Sequence, residues 1–242
     1  NVIKLRFESD FDLMNLLFVK SHLDSLPHVK EVSLAMPYVP YSRMDRTEGI
    51  AVFTLKTVAK FINSMNFNRV IVFEAHSDVT LALFDRIECL YMYQTTMIDE
   101  VKAQLGFNDE KDFLFYPDAG AEKRYKGKIK GKHLFGIKER NFVTREIESF
   151  QIVGNTMDTD SFNRIIIIDD LSSYGKTFLE SAEALHEQFG FKEIYLVVGH
   201  AEDKIIEGAM IQSNLIKKIF TTDSILTKSH DKIHVFDRFG FK

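Results

Sequence analysis

Apolar positions along this chain follow two alternating rhythms. Short continuous runs of Val, Ile, Leu and Phe fall at residues 32–36, 69–75, 113–116, 134–137, 165–168, 193–198, 218–220 and 233–236. Runs of this length read as strands buried on both faces. Between them the spacing changes to the helical period. Residues 11–23 place Leu13, Leu16, Leu17 and Val19 near one face, and residues 50–67 do so with Val52, Leu55, Val58 and Ile62. Residues 176–189 carry Phe178, Leu179, Ala182 and Leu185 and close on Gly190, and residues 201–215 are expected to form a further helix. Buried strands alternating with amphipathic helices predict an α/β fold with a mostly parallel sheet covered on both sides.

The alternation occurs twice, over roughly 2–93 and 107–237, with a helical connector at 94–106. Two Rossmann-like domains are therefore expected, 1–100 and 101–242. A charge-rich stretch at 122–132 reads as a solvated helix face or an exposed loop.

Composition narrows the function. The chain has 242 residues, 45% of them hydrophobic, enough for two real cores. Charged residues make up 27% and the net charge is only -4, so no nucleic-acid partner is expected. No apolar run approaches the roughly 20 residues needed to cross a bilayer, so no membrane partner is expected either. Cys89 is the single cysteine, which excludes an internal disulfide and suits a reducing, cytoplasmic setting.

Open parallel sheets bind ligands beyond the carboxyl ends of their strands. Four such ends carry unusual polar residues, at 37–46, 74–78, 117–124 and 169–177. Pro37, Pro40 and Pro117, three of the four prolines, lie in these segments and stiffen them. The last segment closes the stretch RIIIIDDLSSYGKT, residues 164–177. Its Gly-Lys-Thr ending suggests a P-loop, but Asp170 stands where the first glycine of that motif belongs. Ionised Asp169 and Asp170 accept hydrogen bonds and so suit hydroxyl groups. Ser172, Ser173, Tyr174, Gly175, Lys176 and Thr177 lead into a helix whose free N–H groups suit a phosphate. Hydroxyls at one end and a phosphate at the other describe a ribose phosphate. The plainer alternative is a strand-to-helix junction with a capping Asp, against which the second Asp weighs.

RIIIIDDLSSYGKT resembles the ribose-phosphate motif shared by type I phosphoribosyltransferases and ribose-phosphate pyrophosphokinases, the PRPP synthetases. Three further segments resemble the synthetases in order and spacing: MPYVPYSRMDR at 36–46, FYPDAGAEKR at 115–124 and GIKERN at 136–141. VVGHAEDKIIEGAMI and IFTTDSI extend the likeness toward the C-terminus. The resemblance implies two phosphoribosyltransferase-like domains, an ATP side in the first and a ribose-phosphate side in the second. It implies Mg2+-dependent transfer of the β,γ-diphosphoryl group of ATP to the anomeric hydroxyl of ribose 5-phosphate, giving PRPP and AMP, by a homo-oligomer.

Site roles follow by position. Arg43, Asp45, Arg46 and His76 would hold ATP, arginine by its planar two-point contacts. Lys138 and Arg140 would close over the transferring phosphates, although a Lys-Glu-Arg triplet is in general a solvated turn. His76 and Asp118 would carry the metal, which needs few protein ligands. His200 matches a family histidine near the ribose site.

The departures are specific. Glu74 replaces an Asp in the family's Asp-Leu-His. Ser173, Tyr174 and Lys176 replace Asp, Thr and Gly in the phosphate loop. The adenine-stacking hairpin of the family would precede Val2, outside this sequence, so either such a segment exists or adenine is held differently. Bulky Tyr174 and charged Lys176 suit a 5-phosphate that continues into a larger group. ADP-ribose is such an acceptor, and a phage-type branch of the family that pyrophosphorylates it is the relevant comparison, with a place in NAD metabolism rather than nucleotide biosynthesis. Two further alternatives are a phosphoribosyltransferase, which has no use for residues 43–46 and 138–140, and a non-catalytic nucleotide-binding regulator.

Overall fold

The computed structural model of the protein describes residues 1–47, 49–140, 147–154 and 164–241, without the side chains of 138–140 and 147–149. The chain divides into two compact units, Asn1–Gln94 with Arg238–Lys242, and Thr95–Asp237. The division falls six residues before the expected break after residue 100, and the C-terminal tail returns to the first unit.

The first unit holds a four-stranded parallel sheet in sequential order, β1 (Val2–Lys4), β2 (Ser33–Ala35), β3 (Val70–Phe73) and β4 (Ile87–Leu90). Helices α1 (Asp10–Ser25), α2 (Thr54–Ser64) and α3 (Asp78–Leu83) make the crossovers that parallel strands require. The start of α1 is set locally, because the Asp12 carboxylate accepts the Ser9 N–H at 2.7 Å. Its buried face is Leu13, Leu16 and the stem of Lys20, whose ammonium pairs with Asp24 at 2.6 Å. Leu55, Val58, Ala59 and Ile62 of α2 are buried against Leu34 and Val72 in the same core. The expected helix at 50–67 is thus shorter, beginning at Thr54.

The second unit opens with α4 (Met97–Leu105), closed by Gly106 in the left-handed conformation. Then come β5 (Phe113–Tyr116), α5 (Ala119–Tyr125), β6 (Lys132–Arg140), β7 (Ile147–Gly154), β8 (Arg164–Ser172), α6 (Lys176–Phe189), β9 (Glu193–Ala201), α7 (Ala209–Gln212), β10 (Ile216–Thr222) and β11 (Ile233–Phe236). These strands form one seven-stranded sheet in the order β11-β10-β9-β8-β5-β6-β7. All neighbours are parallel except the β6–β7 pair. The predicted helix at 201–215 does not form as one element. Strand β9 runs through Ala201, a 3-10 turn occupies Asp203–Glu207, and α7 is short. Gly208 separates the last two, which ends any continuous helical run.

The sheet order fixes where a ligand can sit. From β5 the chain moves outward through β6 to β7, whereas from β8 it moves the opposite way through β9 and β10 to β11. The carboxyl ends of β5 and β8 therefore flank a topological switch point, where crossovers leave a crevice. The strands beside it are driven inward by apolar bulk: all four residues of β5 and Ile165 to Ile168 of β8 are buried.

Candidate functional site

At this switch point three carboxylates come together. Asp118 ends the β5 segment and caps α5, its Oδ1 accepting the Ala121 N–H at 2.9 Å. Asp169 and Asp170 lie in the carboxyl half of β8, Asp170 two residues before its end at Ser172, and Asp169 Oδ1 accepts the Asp170 N–H at 2.9 Å. Burial, followed by the Asp170 and Asp118 charges, pushes Asp169 well above the usual carboxylate range. Asp170 is buried and forms an ion pair with Arg124 Nη1 of α5 at 3.2 Å. One carboxylate is thus neutralised by the protein, and its neighbour is under electrostatic pressure.

The loop after β8 turns sharply. Gly175 adopts φ +80° as the N-cap of α6, and a Cβ there would sit 2.4 Å from Met210 Cε. Only glycine meets both demands. The Gly175 carbonyl accepts the N–H groups of Phe178 and Leu179, so the α6 N–H groups before them face the loop. Tyr174 is half exposed, with Lys204 Nζ 5.8 Å from its ring centre. Lys176 projects outward and lies 3.7 Å from Glu180. Ser172 is fully buried at the strand end, whereas Ser173 donates to Glu202 Oε2 at 2.7 Å. Thr177 occupies the first turn of α6.

In the first unit the expected nucleotide residues also lie at carboxyl strand ends. Asp45 is buried and bonds Arg46 Nε at 2.9 Å, while Arg43 and Arg46 are exposed. Burial favours the neutral form of Asp45, but Arg46, Ser77 and His76 outweigh it and hold its carboxyl below the usual range. The Ser77 hydroxyl faces this carboxylate without a hydrogen bond of good geometry. Tyr41, in the same loop, takes φ +59° and donates its hydroxyl to Asp10 at 2.6 Å. Glu74, after β3, takes φ +46° and is buried, its Oε1 accepting the Met92 N–H. Two non-glycine residues in left-handed geometry therefore border this edge, a form of strain that gathers at functional sites.

Structure thus brings Asp118, Asp169, Asp170 and the loop from Ser173 to Thr177 into one site, and Asp45, Arg46 and His76 into another. Lys138 and Arg140 are the seventh and ninth residues of β6, opposite Phe150 and Ile147 in the β6–β7 ladder. Their side chains lie outside the described residues. His200 is buried, with Nδ1 2.7 Å from Ser224 Oγ.

No family model matches the chain. It is 27% identical over 212 residues to a ribose-phosphate pyrophosphokinase of Pyrococcus abyssi, covering 86% of this chain and 70% of that protein. It is 26% identical over 223 residues to a ribose-phosphate pyrophosphokinase of Bradyrhizobium diazoefficiens, covering 91% and 68%. The chain is a homologue of the ribose-phosphate pyrophosphokinases. Its fold agrees: the crystal structure of phosphoribosylpyrophosphate synthetase from Mycobacterium smegmatis superposes with a TM-score of 0.71 over 97% of this chain and 76% of that one, at 17% identity. Both sheets therefore belong to an α/β fold of the type I phosphoribosyltransferase kind.

Sequence reasoning assigned no role to three residues of this homologue's second unit. Arg124 lies six positions after Asp118, where one helical segment can cap with the first and pair with the second. Glu202 directly follows β9, so the strand-end rule alone pointed to it. Gly208 carried no local signal, because its reason is a contact with Tyr174 across the fold: a Cβ at Gly208 would lie 1.9 Å from the Tyr174 carbonyl oxygen.

Proposed function

We propose that this protein transfers the β,γ-diphosphoryl group of ATP to the anomeric hydroxyl of a ribose 5-phosphate moiety, releasing AMP and, with ribose 5-phosphate itself, forming PRPP. The observation that carries this reading is the Asp169-Asp170 pair at the switch point, running into Gly175 and the free N–H groups of α6. Carboxylates accept the sugar hydroxyls and orient the ring, and the helix start holds its 5-phosphate. The anomeric hydroxyl oxygen then attacks the β-phosphorus in line and gives up its proton to solvent, the P–O bond to the α-phosphate breaks, and AMP leaves with the electron pair. Such a reaction needs positioning and charge neutralisation more than covalent chemistry. Arg43 and Arg46 would grip the nucleotide, with Asp45 fixing the Arg46 guanidinium. Lys138 and Arg140 would stabilise charge on the transferring phosphates.

Magnesium fits the donor set. Among the described residues no three His, Cys, Asp or Glu side chains form a metal cage. A cation carried mainly by substrate phosphates and water needs fewer protein ligands. Within the second unit Asp118 would offer one, and within the first unit His76 would offer another beside the nucleotide residues. Magnesium would supply neutralisation of the phosphate charge, and Asp118 would face it from a cluster whose mutual repulsion a cation relieves. The family resemblance also supports a homo-oligomer working in the cytoplasm. No helix among the described residues is long and apolar enough to cross a membrane.

A second reading keeps the chemistry and changes the acceptor to ADP-ribose. The half-exposed ring of Tyr174 and the outward Lys176 favour it, because they leave the phosphate loop open to a larger group. The test is to incubate the protein with ATP, magnesium and each acceptor and to measure AMP and the pyrophosphorylated sugar. AMP formed with ribose 5-phosphate supports the first reading, and AMP formed only with ADP-ribose supports the second. No acceptor-dependent AMP overturns both.

A further inference from the structure

The phosphate loop is braced from outside by the segment that leaves β9. Glu202 fastens its first turn twice: its N–H donates to the Ser172 carbonyl at 2.8 Å, and its Oε2 accepts from the Ser173 hydroxyl at 2.7 Å. Six residues later Gly208 lies so close to the Tyr174 carbonyl that no side chain fits between them. Met210 then fills the space beside Gly175. The loop's shape is therefore set by residues 202–210 as much as by its own sequence.

This brace puts a negative charge where a phosphate is to be bound. Asp203, the next acid, is engaged elsewhere, accepting the Thr227 and Lys228 N–H groups. The nearby cations have other recorded contacts: Lys176 lies 3.7 Å from Glu180, and Lys204 lies over the Tyr174 ring. A terminal phosphate monoester carries about -1.5 to -2 charges near neutral pH. A 5-phosphate esterified on both sides carries only one. A fixed carboxylate beside the loop repels the first more than the second.

We propose that Glu202 is a specificity-determining residue of the acceptor site, selecting a ribose whose 5-phosphate continues into a second group over one whose phosphate is terminal. The inference rests on the reading of this loop as the acceptor's phosphate site. The carboxylate acts through its hydrogen bond to Ser173, which holds the charge at the loop. The Tyr174 ring is half exposed next to Ser173, where a continuing group could pack on it.

Equilibrium binding to the full chain, without ATP, separates the possibilities. The probes are ribose 5-phosphate and its 5-phosphate methyl ester, which differ by about one charge. Glu202→Gln keeps an acceptor for Ser173 and removes the charge. It is expected to bind ribose 5-phosphate on the order of tenfold more tightly, with the methyl ester tightened only about three- to fivefold. Glu202→Ala, which removes both functions, is expected to weaken both ligands. If Glu202→Gln leaves the ratio of the two affinities at the wild-type value while both ligands bind, the charge rule is wrong and the acceptor site stands. If neither ligand binds the wild type or either variant, the acceptor-site reading is wrong, and this inference falls with it.

Discussion

Asp169 and Asp45 each sit at the carboxyl edge of a parallel sheet, and their surroundings drive them in opposite directions. Burial pushes Asp169 upward first, and the Asp170 and Asp118 charges add to the pressure. Asp45 is buried too, but the Arg46 guanidinium lies on it and His76 is close. The loop around Asp45 therefore carries its own counter-charge, whereas Asp169 faces two further carboxylates. Glu74 extends the contrast. Like Asp169 it lies near the end of a buried strand, yet its carboxylate turns back to hold the Met92 N–H. An acid at a strand end is thus a ligand group or a latch according to what lies opposite it.

The largest effect is expected at the acceptor cluster. Asp170→Ala breaks the buried ion pair with Arg124 and should cost about 3 kcal/mol of stability. Denaturant unfolding measures this, and acceptor-dependent AMP formation should fall by about 100-fold or more. Stability within experimental error of wild type would show that the ion pair is not the anchor of this strand end.

Glu74 tests the latch. Glu74→Ala leaves the Met92 N–H buried without its acceptor and should cost about 1–3 kcal/mol. Glu74→Gln keeps an acceptor oxygen and should stay within about 1 kcal/mol, with the magnesium dependence of turnover unchanged. A raised magnesium requirement in Glu74→Gln would make this residue a metal ligand and erase the contrast with Asp169.

The pH dependence of melting in metal-free protein should differ in sign between the two aspartates. Asp169 has a folded pKa above its unfolded value, so its contribution is fully present below about pH 4 and is lost as pH rises through the folded value. Asp169→Asn should raise the melting temperature at neutral pH, at about 2–4 °C per kcal/mol for a chain of this size, and do little at pH 4. Asp45 has a lowered folded pKa, so its contribution is present above about pH 4 and is lost as pH falls through the folded value. Asp45→Asn should lower the melting temperature at neutral pH, by a smaller margin than Asp170→Ala or Glu74→Ala. Parallel shifts in the two variants would mean that the two edges are electrostatically alike.

The central strands and the β11 edge were legible in the sequence, and the edges β1, β4 and β7 were not. β3, β5, β8 and β9 are buried by neighbours on both sides, so their apolar runs are unbroken. β1 and β4 flank the first sheet with half-exposed alternating residues, and no expectation marked them. β7 closes the second sheet as an antiparallel edge and was missed for the same reason. An edge strand owes its existence to a partner's free N–H and C=O groups, which leave little trace in its side chains.

For the candidate site, the sequence by itself determined the chemistry on offer: paired acids, a turn that needs glycine, a helix start, and arginines in a stiff loop. These are local properties of residue type and spacing. Only the tertiary structure decided which acid is pressed upward, which is neutralised and which is a latch. It also revealed Arg124 as the partner of Asp170, and Glu202 and Gly208 as residues that shape the loop after β8. The physical reason is range. Hydrogen bonding and turn geometry act over a few residues of chain, whereas desolvation and charge act across space between elements that the fold alone brings together.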